Sequence, residues 1–278
     1  ARYVAISPAA LRTIPRDRRS GAVIIPNAVD PTRLEPPADR EALRRSLGWS
    51  GPTVLLLSRL GREKAPWVAV QALAHLPGWT LAVAGAGDQR AGMEGLATEL
   101  KVADRIHWLG VRADVGTLLH AADAMIAPSP SEGFGLSLSE ALWCGLPVAS
   151  CPAGCLEDGQ HGTIVPAKAL PREWGEAVIR ASQDHHKAEA DRAWAREAFD
   201  PEKQADAWHD LIRHYAPAPP DALPAGFYRR WLKCPKLHRP QSCGCSKCKG
   251  GPLDGQSVSA RDCVGCPVLS GPACADSR

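Results

Sequence analysis

Aromatic residues are scarce in this 278-residue chain, at 5%, and nine of them are tryptophan against three tyrosines and three phenylalanines. Methionine occurs twice. No stretch of 18 apolar residues occurs, so the sequence encodes no membrane-spanning helix. The opening A-R-Y-V-A-I-S-P lacks the pattern of a secretory signal and reads as the middle of a protein. Excess charge is also lacking. A formal +3 points to no polyanion as obligatory partner, so no nucleic acid is expected. Cysteine is sparse through the first 233 residues, with only Cys144, Cys151 and Cys155. That suits a thiol-reduced, cytoplasmic setting, with peripheral attachment to a membrane as the variant reading. What remains, 45% hydrophobic residues, is enough for a sizeable core in one or two domains.

The balance of charge hides two materials. Residues 1–221 carry 24 Lys and Arg against 27 Asp and Glu; residues 222–278 carry nine against three. A Pro-Ala-Pro-Pro linker at Pro217–Pro220 separates them, and residues 216–233 are expected to connect rather than to fold.

The body is organised around residues 123–150. A short apolar run, Ala124 to Ala127, reads as a buried strand. A Pro/Ser turn follows, then the glycine loop Gly133-Phe134-Gly135, then an apolar helix from about Leu136 to Trp143, and a second strand at Pro147-Val148-Ala149. Strand, glycine loop, helix, strand is a layout that aims helix amides at an anion. Glu132 and Glu140 flank the loop. Carboxylates repel phosphates but accept from sugar hydroxyls. The chemistry implied is a nucleotide diphosphate with hydroxyl-rich groups on both sides. The plain alternative is a buried strand–helix pair with surface glutamates.

E-G-F-G-L-S-L-S-E, followed by A-L-W-C-G-L-P-V-A-S, resembles the E-x7-E signature of retaining group 1 glycosyltransferases with the two-domain GT-B fold. V-I-I-P-N-A-V-D at Val23–Asp30 is similar to the family's I-P-N-G-V-D, with Ala28 where a glycine is usual. The resemblance implies a Rossmann-like, largely parallel α/β domain over residues 21–215, the donor-binding half of the fold. It implies residues 1–20 as a link out of an acceptor domain that precedes this half. The implied reaction moves a hexosyl group from a UDP- or GDP-hexose to an acceptor hydroxyl, on a glycan or lipid-linked glycan, with retention. Bacterial polysaccharide, lipopolysaccharide or glycolipid synthesis is the expected setting.

By match, Arg59 and Lys64 in R-L-G-R-E-K grip the donor diphosphate. Independently of the family, they are two cations after the apolar strand Thr53–Ser58, at its carboxyl end, where open α/β sheets bind ligands; a solvated basic loop is the alternative. Glu132 is assigned to the transferred sugar, Glu140 to the ribose, and the backbone of Gly133, Phe134, Gly135 and Leu136 to the diphosphate. Ile106, on the strand Arg105–Gly110, is the candidate for contact with the base. Gly85 opens the turn G-A-G-D after another strand and is assigned to the donor site. No D-x-D motif occurs, so no catalytic metal is expected. His185-His186 reads as exposed rather than metal-binding.

The remaining feature is a cysteine-rich tail, residues 234–278, outside the resemblance. C-x-C-x-x-C at Cys243, Cys245 and Cys248 and C-x-x-C at Cys263 and Cys266 have metal-ligand spacing. A structural zinc would supply folding energy to a segment without a core; an iron–sulfur site and a disordered thiol tail are the rivals. Two further functions therefore stand beside the enzyme: a nucleotide-sugar binding module needing a partner acceptor domain, and a metal-dependent interaction protein acting through the tail.

Overall fold

The computed structural model describes residues 3–215, and the chain divides into two compact units, residues 1–204 and 205–278. The linker 216–233 and the candidate metal ligands Cys243, Cys245, Cys248, Cys263 and Cys266 lie outside the described residues.

In chain order the elements are β1 (Val4–Ala5), α1 (Pro8–Thr13), β2 (Val23–Ile24), α2 (Arg40–Ser46), β3 (Thr53–Leu57), α3 (Trp67–Leu73), β4 (Thr80–Ala84), α4 (Arg90–Glu99), β5 (Ile106–Gly110), α5 (Val115–Ala121), β6 (Ala124–Ala127), α6 (Leu136–Cys144), β7 (Val148–Ser150), β8 (Thr163–Ile164), α7 (Pro171–Gln183), α8 (His185–Ala198) and α9 (Pro201–Tyr215). The main sheet has the order β5-β4-β3-β6-β7-β8, and every pair in it is parallel. This is the doubly wound, Rossmann-like arrangement, in which the first strand and the fourth are central neighbours. The reversal of strand order falls between β3 and β6, and crevices at the carboxyl ends of such a pair are where these sheets take ligands.

Two-residue periodicity sends alternate side chains into two cores. Val54, Leu56, Leu81, Val83 and Ile126 pack on one face with Val70, Leu73, Trp174 and Val178. Leu55, Ala82, Met125 and Val148 pack on the other with Leu118, Leu119, Leu138 and Leu142. Burial on both faces explains why the strands read as continuous apolar runs. At the amino ends of the central strands, the buried Arg44 fastens α2 to the sheet. Its guanidinium lies 2.9 Å from Asp123 and donates to the carbonyls of Ala121 and Gly51, both at 2.6 Å. Asp123 also accepts from the Thr53 amide at 2.8 Å.

Among the described residues before position 21, Val4 and Ala5 pair in parallel with Val23 and Ile24, and α1 packs beside residues 154–156. Helix α5 starts at Val115, after a turn in which Arg112 donates twice to Asp114, at 2.7 and 2.6 Å. Ala28 is not among the residues with positive φ, so the missing glycine there costs no backbone strain.

Candidate functional site

β3 and β6 deliver their following loops to the same crevice. From β3 comes the segment Ser58–Lys64; from β6 comes Pro128–Gly135, leading into α6. Lys64 Nζ lies 2.6 Å from Glu132 Oε1, and both side chains are 17% exposed. Two residues 68 positions apart thus meet at the reversal of strand order. Ala65, directly after Lys64, is left-handed at φ 48° and ψ 45°, a conformation that costs a residue with a Cβ about 1 kcal/mol. Lys64 is held by a turn that spends stability to form. Arg59 takes a different position: it is 77% exposed and pairs with Glu63 at 2.9 Å, on the rim rather than beside Lys64.

The loop between β6 and α6 is tied down on all sides. Phe134 is buried and meets Phe199 edge-to-face at 5.3 Å. Its carbonyl accepts from the Cys155 amide at 2.7 Å, and the Gly133 carbonyl accepts from the Ser7 hydroxyl. Gly154, at φ 61°, sits against the loop so closely that a Cβ would run into the Phe134 carbonyl oxygen. Gly135, at φ 84°, precedes α6 and gives it no side-chain cap, while Leu136 is exposed. The first turn of α6 therefore carries no side-chain cap, and the positive end of a helix favours an anion.

Glu140 lies on the second turn of α6, half-buried. Burial pushes its carboxyl up from the ordinary glutamate value, Arg33 pulls it partly back, and Asp30 pushes it further up. A half-buried carboxylate whose charge burial disfavours is suited to accept from a ligand's hydroxyls. Cys144 and Cys155 have thiols pushed up to about 12, and Cys151 to about 11, in each case foremost by burial. Little thiolate therefore forms at these three positions near neutral pH. His185 and His186 are exposed, as expected. Among the described residues, no three or more His, Cys, Asp or Glu side chains come together as a metal site.

Lys64 and Glu132 are thus brought together next to the Gly133–Leu136 backbone, with Glu140 on the second turn of the helix that follows; Gly85 lies against Ser58 at the start of the β3 segment, and Ile106 lies apart. Ile106 opens β5 at the amino end of the sheet and is buried in the core. The strand's carboxyl end at Gly110 is about 13 Å further on, so Ile106 cannot present its backbone to a ligand in the crevice. Gly85 has a packing reason for its missing side chain: at φ 143°, a Cβ would run into the Ser58 carbonyl oxygen, and Gly87 meets Leu60 in the same way. These glycines let the β4 loop cross the β3 loop, with Leu60 donating to Ala86 and Gln89 to Leu60, at 2.9 and 3.0 Å. Sequence reasoning missed Ser7, Gly154, Arg33 and Asp30. Ser7 and Gly154 act on the glycine loop from elsewhere in the chain, and Asp30 and Arg33 act on Glu140; of the four, only Asp30 lies in a stretch the sequence singles out.

The family model for glycosyl transferases group 1 matches residues 39–200, more than half of the chain. The chain belongs to the group 1 glycosyltransferase family. It is 35% identical over 189 residues to a D-inositol 3-phosphate glycosyltransferase of Mycobacterium marinum, covering 62% of this chain and 40% of that protein. The Mycobacterium tuberculosis protein of that name is 34% identical over 186 residues, covering 58% and 38%. The chain thus spans about 40% of the length of these relatives. Among solved structures, Anabaena Alr3699/HepE in complex with UDP aligns at a TM-score of 0.70 and 25% identity, over 76% of this chain and 63% of that one. Sucrose-phosphate synthase from Thermosynechococcus elongatus aligns at 0.67 and 26%, over 77% and 58%. The Rossmann-like glycosyltransferase fold expected from the motif is the fold observed.

Proposed function

We propose that this chain is the donor-binding half of a retaining, metal-independent hexosyltransferase acting on a nucleotide diphosphate sugar. The observation that carries the reading is the meeting of Lys64 and Glu132 at the reversal of strand order, beside an uncapped helix and Glu140. A donor lying across the crevice places its diphosphate against the α6 amides and Lys64, with Arg59 reaching in from the rim. These groups stabilise the charge that grows on the leaving diphosphate. Glu140 accepts from the ribose hydroxyls, and Glu132 from hydroxyls of the transferred sugar. UDP is the favoured nucleotide, because Anabaena Alr3699/HepE has been solved with UDP and with UDP-glucose; GDP is the competitor to test. The acceptor is a hydroxyl of a polyol or glycan, in polysaccharide, lipopolysaccharide or glycolipid synthesis, and its binding surface belongs to a domain other than residues 21–215.

Calorimetry with UDP and UDP-glucose on two variants tests the assignment. Glu140→Ala should weaken both ligands, by about 1.5–3 kcal/mol for a charge-assisted hydrogen bond. Glu132→Ala should weaken UDP-glucose but not UDP. Equal weakening of both ligands by both variants would refute the division of roles.

A further inference from the structure

The structure assigns a positioning role to Ser7, in the segment the sequence marks as a linker: its hydroxyl aims the donor loop's amides at the diphosphate. This inference rests on the donor-site reading above. Ser7 is 2% exposed and lies 126 positions from the residue it touches. Its backbone carbonyl accepts from Leu11 at 2.9 Å, and its hydroxyl oxygen accepts from the Ala10 amide at 3.0 Å, capping α1. A serine hydroxyl has one proton to give. With its oxygen engaged by Ala10, that proton goes to the carbonyl of Gly133.

The consequence follows from peptide geometry. In a trans peptide plane the C=O and the next N–H point in opposite directions. Fixing the Gly133 carbonyl toward Ser7 turns the Phe134 amide away from Ser7. Fixing the Phe134 carbonyl on the Cys155 amide turns the Gly135 amide away in the same manner. Among the described residues, neither of these amides donates to a backbone carbonyl. Two carbonyls held from behind thus present two free amides next to the first turn of α6. A glycine at 133, with open space around its missing Cβ, has the freedom to flip that plane. Ser7 removes this freedom. The support is itself anchored, since Arg12 of α1 pairs with Glu157 just beyond the Gly154–Cys155 turn. Both ties on the loop therefore converge on one small assembly: α1, its capping serine and residues 154–157.

The test is the ratio of affinities for nucleoside diphosphate and nucleoside, measured by calorimetry on the full chain with UDP against uridine and GDP against guanosine. Ser7→Ala should lower the diphosphate's affinity about tenfold and leave the nucleoside's unchanged, because only the phosphate-facing amides lose their aim. Ser7→Cys keeps a side chain of similar shape with a weaker donor and should show the same selective loss, so it carries the test if the alanine variant does not fold. A serine that only supports the fold would lower the thermal midpoint with the ratio unchanged; that result in a folded variant overturns the assignment. Failure of the unmodified chain to bind UDP or GDP would instead overturn the donor-site reading, and this inference with it.

Discussion

The Lys64 ammonium and the Glu132 carboxylate sit 2.6 Å apart, each side chain 17% exposed. In the free chain the cation assigned to the diphosphate is neutralised by the carboxylate assigned to the sugar. Donor phosphate must therefore compete with Glu132 for Lys64. Lys64→Ala should lower UDP affinity at least tenfold while sparing uridine, because only the diphosphate loses a charge-assisted partner. Glu132→Gln, which removes the competing charge, should tighten UDP binding severalfold. Calorimetric titrations check both, and UDP binding that weakens in Glu132→Gln would contradict the competition.

The same pair shows what was legible beforehand. Glu132, Glu140 and the glycine loop carry their chemistry in a contiguous stretch, and an apolar run ending in two cations marks Lys64. Their convergence needed only a parallel doubly wound sheet, which the buried strands at Thr53, Thr80 and Ala124 form. Other features were not local. Nothing near Ser7 announces a partner 126 positions away. Gly85 and Gly87 look like a nucleotide loop, and the close approach of the β3 loop that their missing side chains allow was not legible in the sequence. Ile106 lies on the expected strand, but at its buried amino end.

Glu140 should give a stability and binding trade. A carboxyl whose ionisation is pushed up by burial destabilises the folded state once charged; the penalty is complete above its folded pKa and absent below the ordinary value of 4.5. Glu140→Gln should therefore raise the thermal midpoint at neutral pH, with the gain vanishing in acid, while weakening UDP binding. In the unmodified chain, UDP affinity should fall as pH drops through the Glu140 pKa, which burial raises above the ordinary glutamate value. A pH series of melting curves and titrations would show this, and a midpoint lowered by Glu140→Gln at neutral pH would contradict it.

Arg44 separates fold from site. Its guanidinium bridges Asp123 with the carbonyls of Ala121 and Gly51 at the amino ends of the strands, opposite the crevice. Arg44→Ala strands buried acceptors and should cost about 3 kcal/mol in denaturant unfolding. Folded protein should retain its UDP affinity. A large loss of affinity with little loss of stability would mean the network serves the site.

The three body thiols should be slow to react. With Cys144 and Cys155 pushed up to about 12 and Cys151 to about 11, little thiolate exists at mildly alkaline pH. Alkylation mapped by mass spectrometry should spare these three in native protein and label them after unfolding. Rapid native labelling of Cys144 or Cys155 would show that the packing around the glycine loop is looser than described.

The central claim is that the crevice between β3 and β6 holds a nucleoside diphosphate through side chains and backbone amides. Calorimetric titration of the full chain with UDP and GDP, in the presence of EDTA, tests it most directly. One nucleotide should bind with one-to-one stoichiometry, unaffected by the chelator and much more weakly in Lys64→Ala. No binding of either nucleotide to folded protein, or binding that requires added magnesium or manganese, would contradict the account.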